Sequence, residues 1–209
     1  MLGGTFDPPH IGHLVVASEA LWQLGLAEVR LVPASRPPHK EGRAIAPAER
    51  RAAWLEEAVA AVPGLVVSRV EIERGEGLSF TADTLEAMAA TDPGRPLWFI
   101  LGADQLRDFA GWHAPGRILA AARLAVVARG EGERAELERV AAAVAPGRAD
   151  LLDVPRIDVS SSMIRERIAA GIPVAHLLPA PVAQALRREG LVPLPLPERR
   201  KEPSRPRSS

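Results

Sequence analysis

The sequence predicts an α/β fold in which a doubly wound parallel sheet is covered by helices on both faces. Short, continuous apolar runs alternate along the chain with longer amphipathic segments. Strands that are buried on both faces give continuous apolar runs, because neither side meets water. The 209 residues, of which 47% are hydrophobic, are enough for one domain with a substantial core.

The predicted elements follow in chain order. The strands are Val29–Val32, Leu65–Val70, Leu97–Leu101, Arg123–Ala128 and Leu151–Val154. The helices are residues 11–24, 48–61, 81–90, 103–109, 115–121, 132–144, 161–169 and 181–189. Trp22 and Trp54 lie on helix faces that we expect to be buried. Only Met1 and Leu2 precede the Gly3–Gly4 turn, so the first strand is either very short or begins upstream of residue 1.

Composition excludes several functional classes. The chain has no cysteine, which excludes disulfides, cysteine–zinc sites, iron–sulfur clusters and thiol catalysis. Its 26 basic and 26 acidic residues cancel, so we expect no nucleic-acid partner. No apolar stretch reaches the ~18 residues of a membrane span, and no secretory leader is evident, so we expect a cytoplasmic protein without a membrane partner. We expect a domain over residues 1–192 and a disordered, basic, Pro-rich tail over 193–209.

The first chemical motif is GGTFDPPHIGH, residues 3–13. Gly3 and Gly4 allow backbone N–H groups to approach an anion, and a helix beginning near His10 adds the positive end of its dipole. His10 and His13 are three residues apart and project from one face of the first turn. A tight turn before a solvated helix is the simpler interpretation. Zinc is disfavoured because no third ligand is near, and we predict no metal site in the protein.

As a unit, these eleven residues resemble the opening motif of the HIGH-type nucleotidyltransferases, in which His-x-Gly-His binds a nucleotide triphosphate. The resemblance implies a Rossmann-like nucleotidyltransferase fold. It also implies ATP contacts from the residues of the motif, namely Gly3, Gly4, Thr5, Phe6, His10 and His13.

A second motif, Ser160 to Arg165, is similar to the Ile-Ser-Ser-Thr-x-Ile-Arg signature of the same family. The similarity implies that Ser160, Ser161 and Arg165 contact the β- and γ-phosphates. Taken alone, these residues fit a plain helix cap with a surface arginine. Lys40 follows Pro-Pro-His, and the family's lysine at this place contacts the reacting phosphates; by spacing alone it fits a solvated loop lysine.

Two further motifs indicate which of the HIGH-type nucleotidyltransferases the sequence resembles most. Gly102 to Trp112 resembles the Gly-Ala-Asp-x-Leu-x-x-Phe-x-x-Trp stretch of the nicotinate-nucleotide adenylyltransferases. This implies that Gly102 and Asp104 bind the ATP ribose, and that Trp112 stacks on the pyridine ring with His113 beside it. Ser79–Leu85 is similar to the family's Ser-Tyr-Thr-x-Asp-Thr segment, where N–H groups near Thr81 receive the nicotinate carboxylate. On the residues alone, Asp104 fits a helix cap and Trp112 a core residue.

The resemblance implies an enzyme that transfers an adenylyl group from ATP to nicotinate mononucleotide, with Mg²⁺ accompanying ATP. His13, His10, Lys40 and Arg165 form the expected catalytic set, and Lys40 also faces the acceptor. The alternatives are nicotinamide mononucleotide or phosphopantetheine as acceptor, or a nucleotide-binding regulator that has lost catalysis. A homo-oligomer is left open by the sequence.

Overall fold

The computed structural model describes residues 1–36, 45–75, 78–128 and 130–192. Its strands are β1 (Leu2–Gly4), β2 (Val29–Pro33), β3 (Leu65–Val67), β4 (Trp98–Gly102), β5 (Arg123–Ala128) and β6 (Ala149–Asp153). They form one parallel sheet in the order β3-β2-β1-β4-β5-β6. This confirms the predicted fold class. Lys40 and the 193–209 tail lie outside the described residues.

The helices occupy the segments between the strands. They are α1 (Ile11–Gln23), α2 (Ala48–Val59), α3 (Val70–Glu73), α4 (Thr81–Thr91), α5 (Ala103–Arg107), α6 (Pro115–Ala121), α7 (Glu131–Val144), α8 (Ser161–Ala169) and α9 (Ala180–Arg188). Short 3₁₀ turns cover Phe109–Gly111 and Ala175–Leu177. The prediction of a strand to Val70 was wrong at its end, because the chain leaves the sheet after Val67 and turns into α3. No described helix is long and apolar enough to cross a membrane.

Apolar side chains pack on both faces of the sheet. Phe99 and Leu101 of β4 join a core with α4, α6 and α7, whereas Ile100 joins a core with α1 and α2 on the other face. Successive residues of a strand point to opposite faces, so a sheet covered on both sides needs apolar residues throughout. A third cluster, in which Trp54 and Ile164 are buried, joins α2 to α8 and α9.

The expectation that Trp22 is buried was wrong. Its residue surface is 80% exposed, whereas Trp54 is only 3% exposed, as predicted. Helix α1 buries Ala17 and Ala20 against the sheet. Residues two apart on a helix point about 200° apart, so Trp22 faces away from the side on which Ala20 lies.

The short first strand sits at the centre of the sheet. Within β1, Leu2 pairs with both Leu31 of β2 and Ile100 of β4. The order of strands reverses at β1, and in open parallel sheets ligands bind beyond the carboxyl ends of the strands at such a point. The GGTFDPPHIGH segment begins with the last two residues of β1, continues through the loop after it and ends in the first turn of α1, so the fold brings the first motif to this crevice.

Candidate active site

The loop that follows β1 is shaped by contacts between its own side chains. Phe6 is buried, with a positive φ of 52°. A Cβ atom at Gly4 would lie only 3.0 Å from the Phe6 ring, so the glycine allows this packing. The Phe6 ring in turn meets the His13 ring edge-on, with 4.8 Å between ring centroids.

The two histidines of the motif form a stacked pair at the start of α1. Their ring centroids are 3.7 Å apart, and the His10 backbone N–H donates to His13 Nδ1 over 3.1 Å. An accepting Nδ1 leaves the imidazole proton on Nε2, which makes Nε2 a hydrogen-bond donor. Burial lowers the pKa of His10 to about 4, so this imidazole is neutral at pH 7.

Helix α8 contacts the same loop directly. The Ser161 hydroxyl donates to the Pro8 carbonyl over 2.9 Å, and Arg165 Nη1 donates to the Asp7 carbonyl over 2.6 Å. The Ser160 hydroxyl accepts a hydrogen bond from the Met163 N–H over 3.2 Å and so caps the helix. A helix cap is the role that the residues alone indicate for this motif. The two motifs predicted to bind phosphate are therefore joined in one place.

A fully buried arginine, Arg51, holds the loop after β1 in position. Sequence reasoning missed this residue. The Arg51 guanidinium donates to the carbonyl oxygens of Thr5, Ala34 and Ala46 over 2.6, 2.7 and 2.8 Å. Burial lowers the Arg51 pKa, while the nearby Asp7 and Glu71 carboxylates raise it, with a net lowering. The guanidinium thereby ties the loop after β1 to the loop after β2. An arginine in an amphipathic helix gives no signal of such burial.

A cavity of about 280 Å³ adjoins the first motif on one side. The cavity is lined by residues from several separate segments of the chain, among them Gly3, Gly4, Glu71, Thr81, Trp112 and His113. Trp112 packs against Phe99 with 5.8 Å between ring centroids, and His113 stacks on Phe80 at 4.2 Å. Thr81 is the first residue of α4, so the positive end of that helix lies at the cavity.

A second cavity, of about 180 Å³, is lined in part by the histidine pair. Its walls also include Gly12, Val154 and Ile157. The first motif thus contributes Gly3 and Gly4 to one cavity and both histidines to the other. Two separate cavities that are both lined by residues of the GGTFDPPHIGH segment suit a reaction between two ligands.

Comparisons with known proteins agree with this geometry. The cytidylyltransferase-like family model matches residues 1–167. A Saccharopolyspora erythraea protein named "Probable nicotinate-nucleotide adenylyltransferase" is 38% identical over 91% of this chain and 87% of its own. A Bordetella pertussis protein of the same name is 42% identical over 88% of this chain and 91% of its own. This chain belongs to the nicotinate-nucleotide adenylyltransferase family.

A solved structure supports the fold of this nicotinate-nucleotide adenylyltransferase family member. It is the Plasmodium falciparum nicotinic acid mononucleotide adenylyltransferase complexed with NaAD, with a TM-score of 0.70. The match covers 91% of this chain and 95% of that one at 15% identity. At that identity the likeness concerns the fold alone.

The predicted ribose-binding residues lie at the end of β4. The Gly102 N–H donates to Gln105 Oε1 over 2.9 Å. The Asp104 side chain is 96% exposed and pairs with Arg107 over 2.8 Å. Neither residue lines the Trp112 cavity or the histidine cavity, although Gln105, next to Asp104, lines the one that holds Trp112.

Proposed function

We propose that this protein transfers the adenylyl group of ATP to nicotinate mononucleotide, giving deamido-NAD and pyrophosphate. The observation that carries the proposal is the junction of the loop after β1 with the cavity containing Trp112 and Thr81. Groups suited to phosphates and a pocket suited to an aromatic ring lie in one crevice. The names of the Saccharopolyspora and Bordetella relatives support the same activity.

In this proposal the acceptor occupies the 280 Å³ cavity. Its pyridine ring carries a positive charge in the mononucleotide, and an indole face is the best aromatic partner for a flat cation. Trp112 supplies that face, and His113 borders it. The N–H groups at the start of α4, near Thr81, receive the nicotinate carboxylate because a helix N-terminus favours an anion.

The reaction needs positioning more than proton transfer. A phosphate oxygen of the mononucleotide attacks the α-phosphorus of ATP, and the bond from that phosphorus to the bridging oxygen breaks. The electron pair leaves with pyrophosphate. The attacking phosphate is already ionised at pH 7, so no general base is required, and catalysis consists of alignment and charge stabilisation.

We assign the ATP-binding roles to the motif residues. His13 Nε2 donates near the α-phosphate, and Lys40, outside the described residues, adds positive charge there. His10, Ser161 and Arg165 hold the departing pyrophosphate, with Ser160 fixing the start of α8. Backbone N–H groups at the end of β1 and in the loop after it, from Gly3, Gly4, Thr5 and Phe6, complete the phosphate site. Gly102 and Asp104 receive the ribose.

Magnesium enters with ATP in this proposal. Across the described residues, no group of three or more His, Asp or Glu side chains could hold a metal ion. Mg²⁺ keeps several water ligands and binds readily to nucleotide phosphates, where it offsets their negative charge. The proposal includes a cytoplasmic location, where ATP is made, and a homo-oligomer remains to be tested by light scattering.

The test is pyrophosphate release from purified protein with Mg-ATP and each of three acceptors: nicotinate mononucleotide, nicotinamide mononucleotide and phosphopantetheine. We expect the highest kcat/KM with nicotinate mononucleotide. Preference for either other acceptor would leave the phosphate site assigned and overturn the acceptor assignment. ATP binding without release from any acceptor would instead support a nucleotide-binding regulator.

A further inference from the structure

Glu71 is a buried carboxylate in the wall of the acceptor cavity. It lies on the short helix α3, its residue surface is 7% exposed, and it lines the cavity with Thr81, Trp112 and His113. The Thr84 hydroxyl donates to Glu71 Oε1 over 2.8 Å. Glu71 Oε2 is buried and has no hydrogen-bond partner among the described residues.

Among the described residues, neither nearby arginine donates a hydrogen bond directly to the Glu71 carboxylate. Arg74 Nη2 donates to the Thr84 hydroxyl over 3.1 Å and so reaches the carboxylate only through that residue. The Arg51 guanidinium is engaged with backbone carbonyls. A buried carboxylate with one unpaired oxygen is costly, and native structures rarely keep one without a function or a ligand.

We propose that Glu71 is an acceptor-binding residue that selects a positively charged pyridine ring. The inference rests on the proposed function, in which the cavity receives nicotinate mononucleotide. A carboxylate in a cavity wall attracts a cation more strongly than one in water, because the surroundings screen the charge less. Trp112 offers the ring a π face, and Glu71 adds negative charge to the same cavity. The acceptor carboxylate binds at Thr81, so Glu71 acts on the ring.

If Glu71 has this role, the protein should distinguish two acceptors that have nearly the same shape but differ in the charge of the ring. The 1,4-dihydro form of nicotinate mononucleotide has a neutral ring of almost the same size. We expect the wild-type protein to bind the oxidised form at least tenfold more tightly. Glu71→Gln keeps the size of the side chain and removes its charge, so it should weaken oxidised-ring binding about tenfold and leave dihydro binding unchanged.

The measurement is the Kd of each ring form by isothermal titration calorimetry, made on the full chain. Glu71→Asp retains the charge and should retain the discrimination. Glu73→Gln, an exposed residue of the same helix, is the matched control and should behave as wild type. Thermal melting of each variant by circular dichroism identifies any loss that comes from misfolding.

Two results would overturn the inference. An equal loss for both ring forms in a folded Glu71→Gln variant would mean that Glu71 only shapes the cavity. Unchanged binding of the oxidised ring would mean that its charge does not reach the ligand. Pyrophosphate release by the wild type separates this inference from the proposed function. If the wild type turns over and Glu71→Gln still distinguishes the two ring forms, only the role of Glu71 is ruled out. If the wild type binds according to ring charge but releases no pyrophosphate, only the proposed reaction is ruled out.

Discussion

His13 accepts the backbone N–H of His10 at Nδ1 over 3.1 Å, and the His13 backbone N–H donates in return to the His10 carbonyl over 3.0 Å. The exchange fixes both the orientation of the His13 ring and its tautomer. The edge of Phe6 and the face of His10 then confine the ring from two sides. The three-residue spacing of the histidines therefore prepares one donor, His13 Nε2, before any nucleotide binds.

Replacing that donor should impair turnover without unfolding the protein. A preorganised donor to a developing negative charge typically contributes 10²–10³ in rate, so His13→Ala should lower kcat by roughly that factor. Steady-state pyrophosphate release measures the change. His176→Ala, an exposed histidine, is the control and should retain full activity. A loss below threefold for His13→Ala would contradict its assignment.

Burial of His10 should make stability depend on pH. Its pKa is about 4 in the folded protein and near 6.5 in an unfolded chain, so the unfolded state binds more protons between these values. The contribution of the neutral His10 side chain to the free energy of unfolding is fully present above pH 6.5 and is lost as the pH falls toward 4. By pH 4.5 the loss should be ~2–3 kcal/mol.

Urea denaturation of the wild type and His10→Asn at pH 7.5 and 4.5 measures this dependence. The variant lacks the imidazole, so its free energy of unfolding should fall less between the two pH values. Carboxylates titrate alike in both proteins and cancel in the comparison. Parallel pH dependence in the two proteins would show that the folded protein does not hold His10 neutral.

The predictable parts of the fold depend on local sequence signals. Helices α6 and α8 begin where predicted because Pro115 starts one and Ser160 caps the other. Two residues were missed or misplaced for different reasons. Arg51 is buried because carbonyl groups from three other places surround it. Trp22 is exposed because α1 is apolar on several sides, so periodicity does not distinguish the face against the sheet.

The same contrast holds within the candidate site. Ser161 and Pro8 are 153 residues apart and in hydrogen-bond contact, which no periodicity predicts. Their proximity was expected only from the resemblance of two motifs to one family. Glu71 belongs to none of the motifs used for that resemblance. Its significance came from its burial and from the cavity that it lines, which are properties of the folded chain.

Arg165 should act through the shape of its guanidinium as well as its charge. It donates to the Asp7 carbonyl over 2.6 Å and to the Ser162 hydroxyl over 3.1 Å, a fork that lysine cannot reproduce. Arg165→Lys should therefore raise the KM for ATP about tenfold and leave the KM for the acceptor nearly unchanged. Arg167→Lys, on the same helix, should change neither constant. Equal rises for ATP and acceptor would instead indicate general disruption of α8.

Loss of the Arg51 side chain should destabilise the whole fold. Arg51→Met leaves the carbonyl groups of Thr5, Ala34 and Ala46 without their buried donor, which should cost ~3–5 kcal/mol in the free energy of unfolding. Chemical denaturation measures the loss. The neighbouring Arg50, a half-exposed residue, pairs with Glu189, so Arg50→Met should cost at most ~1 kcal/mol. Similar costs for both variants would refute the role of Arg51 in joining the loops.

Trp112 and Trp22 form a matched pair for testing the acceptor site. Trp112 lines the cavity, whereas Trp22 is 80% exposed on α1. Trp112→Ala removes the indole face and its cation–π attraction, so the KM for nicotinate mononucleotide should rise about tenfold or more. The KM for ATP should stay within twofold of wild type, because the phosphate site does not include this ring.

Initial rates at varied acceptor concentration with saturating ATP give the KM for the acceptor. Rates at varied ATP concentration with saturating acceptor give the KM for ATP. Trp22→Ala should leave both unchanged, because its side chain lies on the outer surface of α1. Trp112→Phe keeps an aromatic face of smaller area and should fall between wild type and Trp112→Ala. If Trp112→Ala raised the KM for ATP as much as that for the acceptor, the ring would be a structural part of the crevice, and the pyridine site would have to lie elsewhere.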